Sequence, residues 1–121
     1  MKVFLVEDSP LLRERIEAMI TALPSAQVAG HASNAEAAVS AILADPPDAV
    51  VLDIQLEKSS GFDVLRAVRE KAPQVTFYVL TNFANEAYRA AAERMGAKGF
   101  FDKSAEFEQL RDALAAARPA G

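Results

Sequence analysis

The sequence predicts one α/β domain in which five strands alternate with five helices along 121 residues. Five short apolar runs rich in β-branched residues are each followed by a longer stretch with apolar residues at helical spacing. The six prolines all fall at boundaries between these segments. Strands that alternate with helices pair in parallel through right-handed crossovers. We therefore expect a doubly wound (βα)5 five-stranded parallel sheet in the order 2-1-3-4-5, with its switch point between the first and third strands.

The first two units are predicted from their apolar runs and capping residues. A strand over residues 3–6 is followed by Glu7-Asp8-Ser9-Pro10, a polar cluster typical of a helix start, and that helix ends at Leu23-Pro24. A weaker strand over residues 28–31 precedes Ser33-Asn34-Ala35-Glu36, which has the spacing of a capping box. The second helix then runs to Asp45-Pro46-Pro47. Its inward residues are Ala38, Val39, Ile42 and Leu43.

The third strand is the apolar run Ala49-Val50-Val51-Leu52, which ends abruptly in the carboxylate of Asp53. A short continuous apolar run is typical of a strand buried on both faces in a parallel sheet. Its carboxyl end lies at the edge where open α/β sheets bind ligands, so Asp53 is the candidate reactive centre. A loop over residues 54–60 then leads to Gly61 and a third helix that ends at Ala72-Pro73. The inward residues of this helix are Phe62, Leu65 and Val68.

The last two units follow the same pattern. The fourth strand covers residues 75–80 and stops at Thr81-Asn82, and a helix from about Ala84 to Met95 is capped by Gly96. The fifth strand covers residues 98–101 and is followed by Asp102-Lys103-Ser104. The final helix ends at Pro119 and has one apolar face made of Phe107, Leu110, Leu114 and Ala117. We assign residues 1–118 to the domain and residues 119–121 to a tail or the start of a linker.

Composition excludes several classes of protein. The net charge of −4 gives no nucleic-acid footprint within this chain. The absence of cysteine excludes disulfides and thiolate metal sites, and the one histidine, His31, cannot form a histidine-based metal cluster. Charged residues follow the first strand too soon for a signal peptide, and no apolar run has the length of a membrane span. We expect a soluble cytoplasmic protein with no membrane partner.

Five side chains are predicted to converge, because parallel strands end at the same edge of a sheet. They are Glu7 and Asp8 after the first strand, Asp53 after the third, Thr81 after the fourth and Lys103 after the fifth. Two carboxylates about 5 Å apart repel by roughly 3 kcal/mol at an effective dielectric constant of about 20. Lys103 offsets one charge, and Mg²⁺ or another divalent cation such as Mn²⁺ suits the remaining carboxylates. Such a site suits phosphoryl transfer, with Asp53 as the attacking oxygen nucleophile.

These residues resemble the receiver domain of two-component response regulators. The resemblance covers essentially the whole chain and implies the flavodoxin-like receiver fold. Its motifs are Val6-Glu7-Asp8-Ser9, Val51-Leu52-Asp53 with Gly61 eight residues on, Val79-Leu80-Thr81 and Phe101-Asp102-Lys103. Taken together they are specific, although each one alone is weak.

The resemblance implies that Asp53 accepts a phosphoryl group from the phosphohistidine of a sensor histidine kinase or a phosphotransfer protein. It implies that Glu7, Asp8 and Asp53 hold Mg²⁺ together with the backbone carbonyl of Gln55. Thr81 and Lys103 would contact the aspartyl phosphate. The protein would then be a signalling receiver that catalyses only its own phosphorylation and dephosphorylation.

The resemblance also implies a switch and an output surface. Phe100 stands where the family has its rotating aromatic residue, which responds to the movement of Thr81. The output surface is the fourth helix, fifth strand and fifth helix, here about Ala84 to Arg118. It would control a partner or an output domain, transcription regulation included, or pair two copies of the chain. No helix-turn-helix lies within these residues, so any DNA binding would belong to another domain.

The sequence departs from the common family pattern in four places. Asn82 stands where a small residue is usual, and Phe83 places a bulky ring near the expected path of hydrolytic water. We therefore expect slow self-dephosphorylation. Ser104 replaces the usual proline after Lys103, which puts the usual cis peptide bond in doubt, and Glu57-Lys58 replaces a common loop proline.

Two other functions fit parts of this pattern. A Mg²⁺-dependent phosphatase could use Asp53 as its nucleophile, but Gln55 leaves no second acid two residues on and the chain has no room for a cap domain. A degenerate receiver could serve only for binding, but all the site residues are present. A flavin or nucleotide binder is disfavoured because no glycine-rich loop follows the first strand.

Overall fold

A computed structural model describes residues 1–117 and contains one five-stranded sheet in which every neighbouring pair is parallel. The strands of this sheet, labelled in chain order, are β1 Lys2–Val6, β2 Gln27–Ala32, β3 Ala49–Leu52, β4 Thr76–Thr81 and β5 Gly99–Asp102. The helices are α1 Pro10–Thr21, α2 Ala35–Ala44, α3 Gly61–Lys71, α4 Glu86–Arg94 and α5 Phe107–Ala116. The spatial order β2-β1-β3-β4-β5 confirms the predicted topology. The predicted end of the last helix at Pro119 and the tail over 119–121 lie outside the described residues.

Helices cover both faces of the sheet. Alternate residues of a strand point to opposite faces, and in β1 Val3 and Leu5 pack with α1 and α5, whereas Phe4 and Val6 pack with α2 and α3. The central strand is shielded from solvent on both faces of the sheet, since all four residues of β3 are buried. This burial explains why β3 has a continuous apolar sequence without polar alternation.

Capping residues set the starts of the helices. Ser9 caps α1 as predicted, because its side chain accepts a hydrogen bond from the Leu12 amide and Pro10 occupies the first turn. The predicted Ser33–Glu36 capping box is wrong. Asn34 caps α2 instead, with its side-chain oxygen accepting from the Ala37 amide at 2.9 Å. The helical backbone begins only after Asn34, so Ser33 lies one residue too early to cap it.

Other boundaries differ from prediction by a few residues. The fourth helix begins at Glu86 and not near Ala84, because the Asn85 side chain accepts from the Tyr88 amide at 2.9 Å and fixes the start. The first helix ends at Thr21, before Leu23. Ala117 is not part of the apolar face of α5, because it is the C-terminal cap in an extended conformation.

The loop after β3 contains a small hairpin that the sequence did not predict. Gln55–Leu56 and Ser59–Ser60 pair in antiparallel fashion, with Lys58 at φ 53° in the turn between them. The Ser59 hydroxyl accepts a hydrogen bond from the Ala35 amide at 3.0 Å, which connects this hairpin to the start of α2. Within residues 1–117, no helix combines the length and apolar character that crossing a bilayer requires.

Candidate functional site

The predicted edge of the sheet brings an ammonium group between two buried carboxylates. Lys103 Nζ donates to Asp53 Oδ2 at 2.6 Å and lies 2.8 Å from Glu7 Oε1. Glu7 and Asp53 are only 2% and 5% exposed, so this ion pair is shielded from water on most sides. The arrangement follows from topology, because β1 and β3 are neighbours and β5 ends at the same edge.

Asp8 completes an acidic cluster with the two buried acids. One carboxylate oxygen from each of Glu7, Asp8 and Asp53 can be chosen so that all three lie within 4.8 Å of one another. Asp8 is exposed, and its exposure leaves one side of the cluster open to solvent. The Gln55 amide donates to Asp53 Oδ1 at 3.3 Å, so the backbone of residue 55 also borders the cluster.

Burial and charge oppose each other at this site. Burial disfavours the ammonium form of Lys103, but hydrogen bonds and charge from Asp53 and Glu7 outweigh it and raise the Lys103 pKa. Burial raises the pKa of Glu7, and Lys103 and the Ser9 amide, which donates to Glu7 Oε2 at 3.0 Å, act in the opposite direction. Lys103 is therefore a cation at neutral pH, and its ammonium lies between the carboxyl groups of Asp53 and Glu7.

The donor set fits a hard divalent cation. Glu7 Oε1 is buried, and the Lys103 ammonium lies 2.8 Å from it. One ammonium shared by two buried carboxylates, with the carboxylate of Asp8 beside them, leaves an oxygen donor set of the kind that Mg²⁺ or Mn²⁺ prefers. Glu7, Asp8 and Asp53 could hold such an ion.

Gly61 supports the backbone of Asp53 by a close approach. A Cβ atom at residue 61 would lie 2.1 Å from the Asp53 carbonyl oxygen and 3.0 Å from Ile54 Cα. The Gly61 amide also donates to the Ile54 carbonyl at 2.6 Å. The start of α3 can therefore pack against the reactive loop only because residue 61 has no side chain.

Thr81 is fully buried, and the loop after it is held by its side chain. Thr81 Oγ1 accepts a hydrogen bond from the Phe83 amide at 3.1 Å. Asn82 is exposed, and the Phe83 side chain is 45% exposed. A cavity of about 360 Å³ lies between this loop and the hairpin after Asp53, and its lining residues are Ile54, Gln55, Ser59, Ser60, Phe83 and Tyr88.

The two aromatic residues of β5 point to opposite faces of the sheet. Phe100 is 4% exposed and packs with Val79 of β4 and Ala92 of α4, and Phe101 packs on the α1–α5 side. The Arg89 guanidinium lies over the Phe100 ring, 4.8 Å from its centroid. In this structure Phe100 therefore occupies the core, and its predicted role as a switch residue remains a prediction.

The segment that carries Lys103 has no cis peptide bond, as is true of all the described residues. Asp102 Oδ1 accepts from the Ser104 amide at 2.8 Å and from the Ser104 hydroxyl at 2.6 Å. These hydrogen bonds to Ser104 also lower the Asp102 pKa. The bond between Lys103 and Ser104 is thus trans, which answers the doubt raised by the missing proline.

The fold and the site together define a class: a doubly wound α/β domain with an acidic cluster and a lysine at the carboxyl edge of its sheet. The model of the response regulator receiver domain family matches residues 3–115. The chain belongs to this family, which confirms the resemblance of its sequence motifs to receiver domains.

Curated relatives include longer proteins with different outputs. The nitrate/nitrite response regulator NarL of Escherichia coli K12 is 30% identical over 112 residues, covering 93% of this chain and 52% of that protein. The transcriptional regulatory protein YxjL of Bacillus subtilis is 30% identical over 96% of this chain and 53% of its own length. A protein-glutamate methylesterase/protein-glutamine glutaminase of Geobacter sulfurreducens is 30% identical over 84% of this chain and 27% of its own length. The chain spans about half the length, or less, of these relatives.

Solved structures of receiver domains superpose closely on this fold. A LuxR-family two-component response regulator from Aurantimonas has a TM-score of 0.86 and 29% identity, covering 99% of this chain and 88% of that one. The signal receiver domain of the putative NarL of Mycobacterium tuberculosis has a TM-score of 0.86 and 28% identity, covering 97% of each chain. The response regulator domain of Thermotoga maritima CheB has a TM-score of 0.84 and 26% identity, covering 94% and 90%.

Proposed function

We propose that this chain is a phosphorylation-dependent switch in which Asp53 accepts a phosphoryl group from the phosphohistidine of a histidine kinase or phosphotransfer protein. The observation that carries the proposal is the Lys103 ammonium, which bridges Asp53 and Glu7 beside the exposed Asp8. A cation and two further acids around one buried carboxylate suit a phosphoacceptor better than a passive surface. Membership of the receiver family supports the same function.

The transfer is a substitution at phosphorus. A carboxylate oxygen of Asp53 attacks, an oxygen–phosphorus bond forms, and the phosphorus–nitrogen bond to histidine breaks with its electron pair left on the imidazole. Lys103 Nζ, 2.6 Å from Asp53 Oδ2, contacts the incoming phosphoryl oxygens and holds their charge. Glu7, Asp8, Asp53 and the Gln55 carbonyl would hold Mg²⁺, which would supply further positive charge for those oxygens.

Phosphorylation shifts the conformation through Thr81. The phosphoryl group adds a charge of about −1.5 to −2 and attracts the Thr81 hydroxyl. Thr81 Oγ1 accepts a hydrogen bond from the Phe83 amide. Movement of the Thr81 side chain therefore displaces the loop before α4 and changes the packing around Phe100. A tenfold change in the ratio of the active to the inactive conformation needs about 1.4 kcal/mol of differential free energy. A shift from roughly 1% to roughly 99% active needs about 5.5 kcal/mol. A few charge-assisted hydrogen bonds of roughly 1.5–3 kcal/mol each are sufficient.

The output surface consists of α4, β5 and α5. Relatives about twice as long as this chain include a transcriptional regulatory protein and a DNA-binding transcriptional activator, and another relative is named as a methylesterase. We propose that the α4-β5-α5 surface controls an output domain or a partner protein, or pairs two copies of the chain. Control of transcription is the output that the first of these relatives favour.

Intact mass spectrometry tests the proposed chemistry. Wild-type protein treated with acetyl phosphate and Mg²⁺ is expected to gain the mass of one phosphoryl group, and peptide mapping should place it on Asp53. Excess EDTA should suppress the gain, because the uncompensated acids repel the donor. Equal incorporation with and without the metal, or no incorporation in either sample, would contradict the proposal.

Phe83 is expected to slow hydrolysis of the aspartyl phosphate. Its ring borders the cavity beside the hairpin that follows Asp53, and we propose that it limits the approach of water from that side. Phe83→Ala should increase the dephosphorylation rate on the order of fivefold, since a bulky group that excludes water protects a reactive intermediate. The decay of the phosphorylated mass over time measures this rate.

The matched control for Phe83→Ala is Tyr88→Ala, which removes the other partly exposed aromatic ring from the same cavity. Tyr88 lies on α4 and packs against Phe62, with 5.9 Å between ring centroids. We expect it to leave the decay rate within about twofold of wild type, because Tyr88 packs on Phe62, whereas the Phe83 backbone is bonded to the Thr81 side chain. Equal decay rates for wild type and Phe83→Ala would end the hypothesis.

A further inference from the structure

The free edge of β5 is completed by two side chains from other elements. β5 is the outermost strand on its side of the sheet, so Phe100 and Asp102 have backbone groups that face away from β4. Arg89 Nη1 donates to the Phe100 carbonyl at 3.0 Å, and the Asp102 amide donates to Glu106 Oε1 at 3.0 Å. Arg89 Nη2 lies 3.5 Å from the same Glu106 oxygen. The Arg89–Glu106 ion pair therefore makes hydrogen bonds with the Phe100 carbonyl and the Asp102 amide, the residues on either side of Phe101. In a parallel sheet, one residue of a further strand would make the same two hydrogen bonds through its backbone.

The Glu106 side chain bonds to β5 and not to the helix that it precedes. It is the N-terminal cap of α5, but its side chain makes no capping hydrogen bond to that helix. Its carboxylate accepts from the Asp102 amide, and its own amide donates to the Asp102 carbonyl at 2.8 Å. Glu106 thus holds Asp102 through both backbone groups of that residue.

Lys103 stands directly after this bonded position. Its amide donates to the Thr81 carbonyl at 3.0 Å on the inner side, and Glu106 holds the preceding residue on the outer side. The Lys103 side chain must reach inward from this point to Asp53 and Glu7. Because a displacement of about 1 Å can cost 100-fold in a positioned reaction, the backbone at residue 103 needs support on both sides.

We infer that Glu106, oriented by Arg89, is a positioning residue that holds Lys103 in place for the phosphoryl group. The inference rests on the proposed function for its catalytic consequence, while its structural part concerns the backbone of Lys103 alone. The sequence did not single out this pair, because Arg89 lies 11 residues from Phe100 and 17 from Glu106. No local pattern relates residues at such separations.

Glu106→Ala tests the inference, with Glu108→Ala as its matched control. Glu108 is an exposed glutamate in the first turn of the same helix. We expect Glu106→Ala to slow phosphoryl incorporation at saturating acetyl phosphate by about tenfold, the equivalent of one hydrogen bond to a charged group. The Mg²⁺ concentration for half-maximal rate should not change, since the acids that would hold the ion are untouched. Glu106→Gln keeps an acceptor oxygen and should restore most of the rate.

Amide hydrogen exchange by NMR gives a readout that does not depend on phosphorylation. The Lys103 amide should exchange about tenfold faster in Glu106→Ala than in Glu108→Ala. Without Glu106, local opening of this segment does not have to break the hydrogen bond from the Asp102 amide, so opening costs less free energy. If Glu106→Ala fails to fold, Arg89→Met provides the same test. It keeps an apolar side chain over Phe100 but has no hydrogen-bond donor, and it should also increase the exchange rate of the Lys103 amide. Unchanged Lys103 exchange, or an equal phosphorylation rate in the two glutamate variants, would overturn the inference. If wild-type protein accepts no phosphoryl group, the proposed function fails, and hydrogen exchange alone decides whether Glu106 holds Lys103.

Discussion

Replacement of Asp53 by asparagine is expected to abolish phosphoryl acceptance while the fold is retained. The amide has the size of the carboxylate but no anionic oxygen, so phosphoryl incorporation from acetyl phosphate and Mg²⁺ should fall by roughly 1,000-fold or more, as for other removed nucleophiles. Lys103 keeps its 2.8 Å contact with Glu7, so its ammonium is not left unpaired. Intact mass spectrometry against wild type measures the loss.

The control for Asp53→Asn is Asp112→Asn, the same chemical change at an exposed residue of α5. The Asp112 side chain is 71% exposed and forms an ion pair with its neighbour Arg111. We expect this variant to gain one phosphoryl mass as wild type does. A full phosphoryl gain in Asp53→Asn would show that another residue is the acceptor, and the proposed function would then be wrong.

Gly61→Ala is expected to have the largest effect on stability. The new methyl group would lie 2.1 Å from the Asp53 carbonyl oxygen and 2.9 Å from its carbon, and both are backbone atoms that cannot rotate away. Alanine favours a helix over glycine by about 1 kcal/mol, but forced overpacking typically costs about 1–3 kcal/mol. Because the clash is with backbone, we take the upper end of that range, about 3 kcal/mol. We expect a net loss of about 2 kcal/mol, which lowers Tm by roughly 8 °C for a chain of this size. Urea and thermal unfolding measure both quantities.

Gly30→Ala is the matched control for the stability effect. Its methyl group would lie 3.1 Å from a ring carbon of Phe4, a side chain that can shift by a few tenths of an ångström. We expect a change below about 1 kcal/mol, because the strand gains a side chain where glycine is unfavourable. A Gly61→Ala protein as stable as Gly30→Ala would contradict the close approach of α3 to Asp53.

Much of the fold could be predicted because its signals are local. The buried run of β3, the helical spacing and the prolines each act over a few residues, and together they gave the parallel order. The first residue of a helix is harder to predict where two residues that can cap it are adjacent in the sequence. At Ser33 and Asn34 only the backbone conformation decides which side chain reaches a free amide, and it selects Asn34.

The candidate site was partly predictable for a topological reason. Residues that directly follow the strands of a parallel sheet share one edge, so the meeting of Glu7, Asp53 and Lys103 could be inferred without coordinates. The hairpin after Asp53 could not, because its two-residue strands are too short to give a periodic signal. The inward position of Phe100 also depends on α4, which covers it from another part of the chain.

The sequence by itself determined the strand order, the family and which residue types stand at the carboxyl edge of the sheet. Only the tertiary structure decided how those residues are charged and held: Lys103 lies between two buried acids, and Glu106 and Arg89 complete the outer edge of β5. The reason is physical. Periodicity and capping depend on neighbours within about one or two turns, whereas burial, pKa shifts and edge hydrogen bonds depend on groups that the chain brings together from tens of residues away.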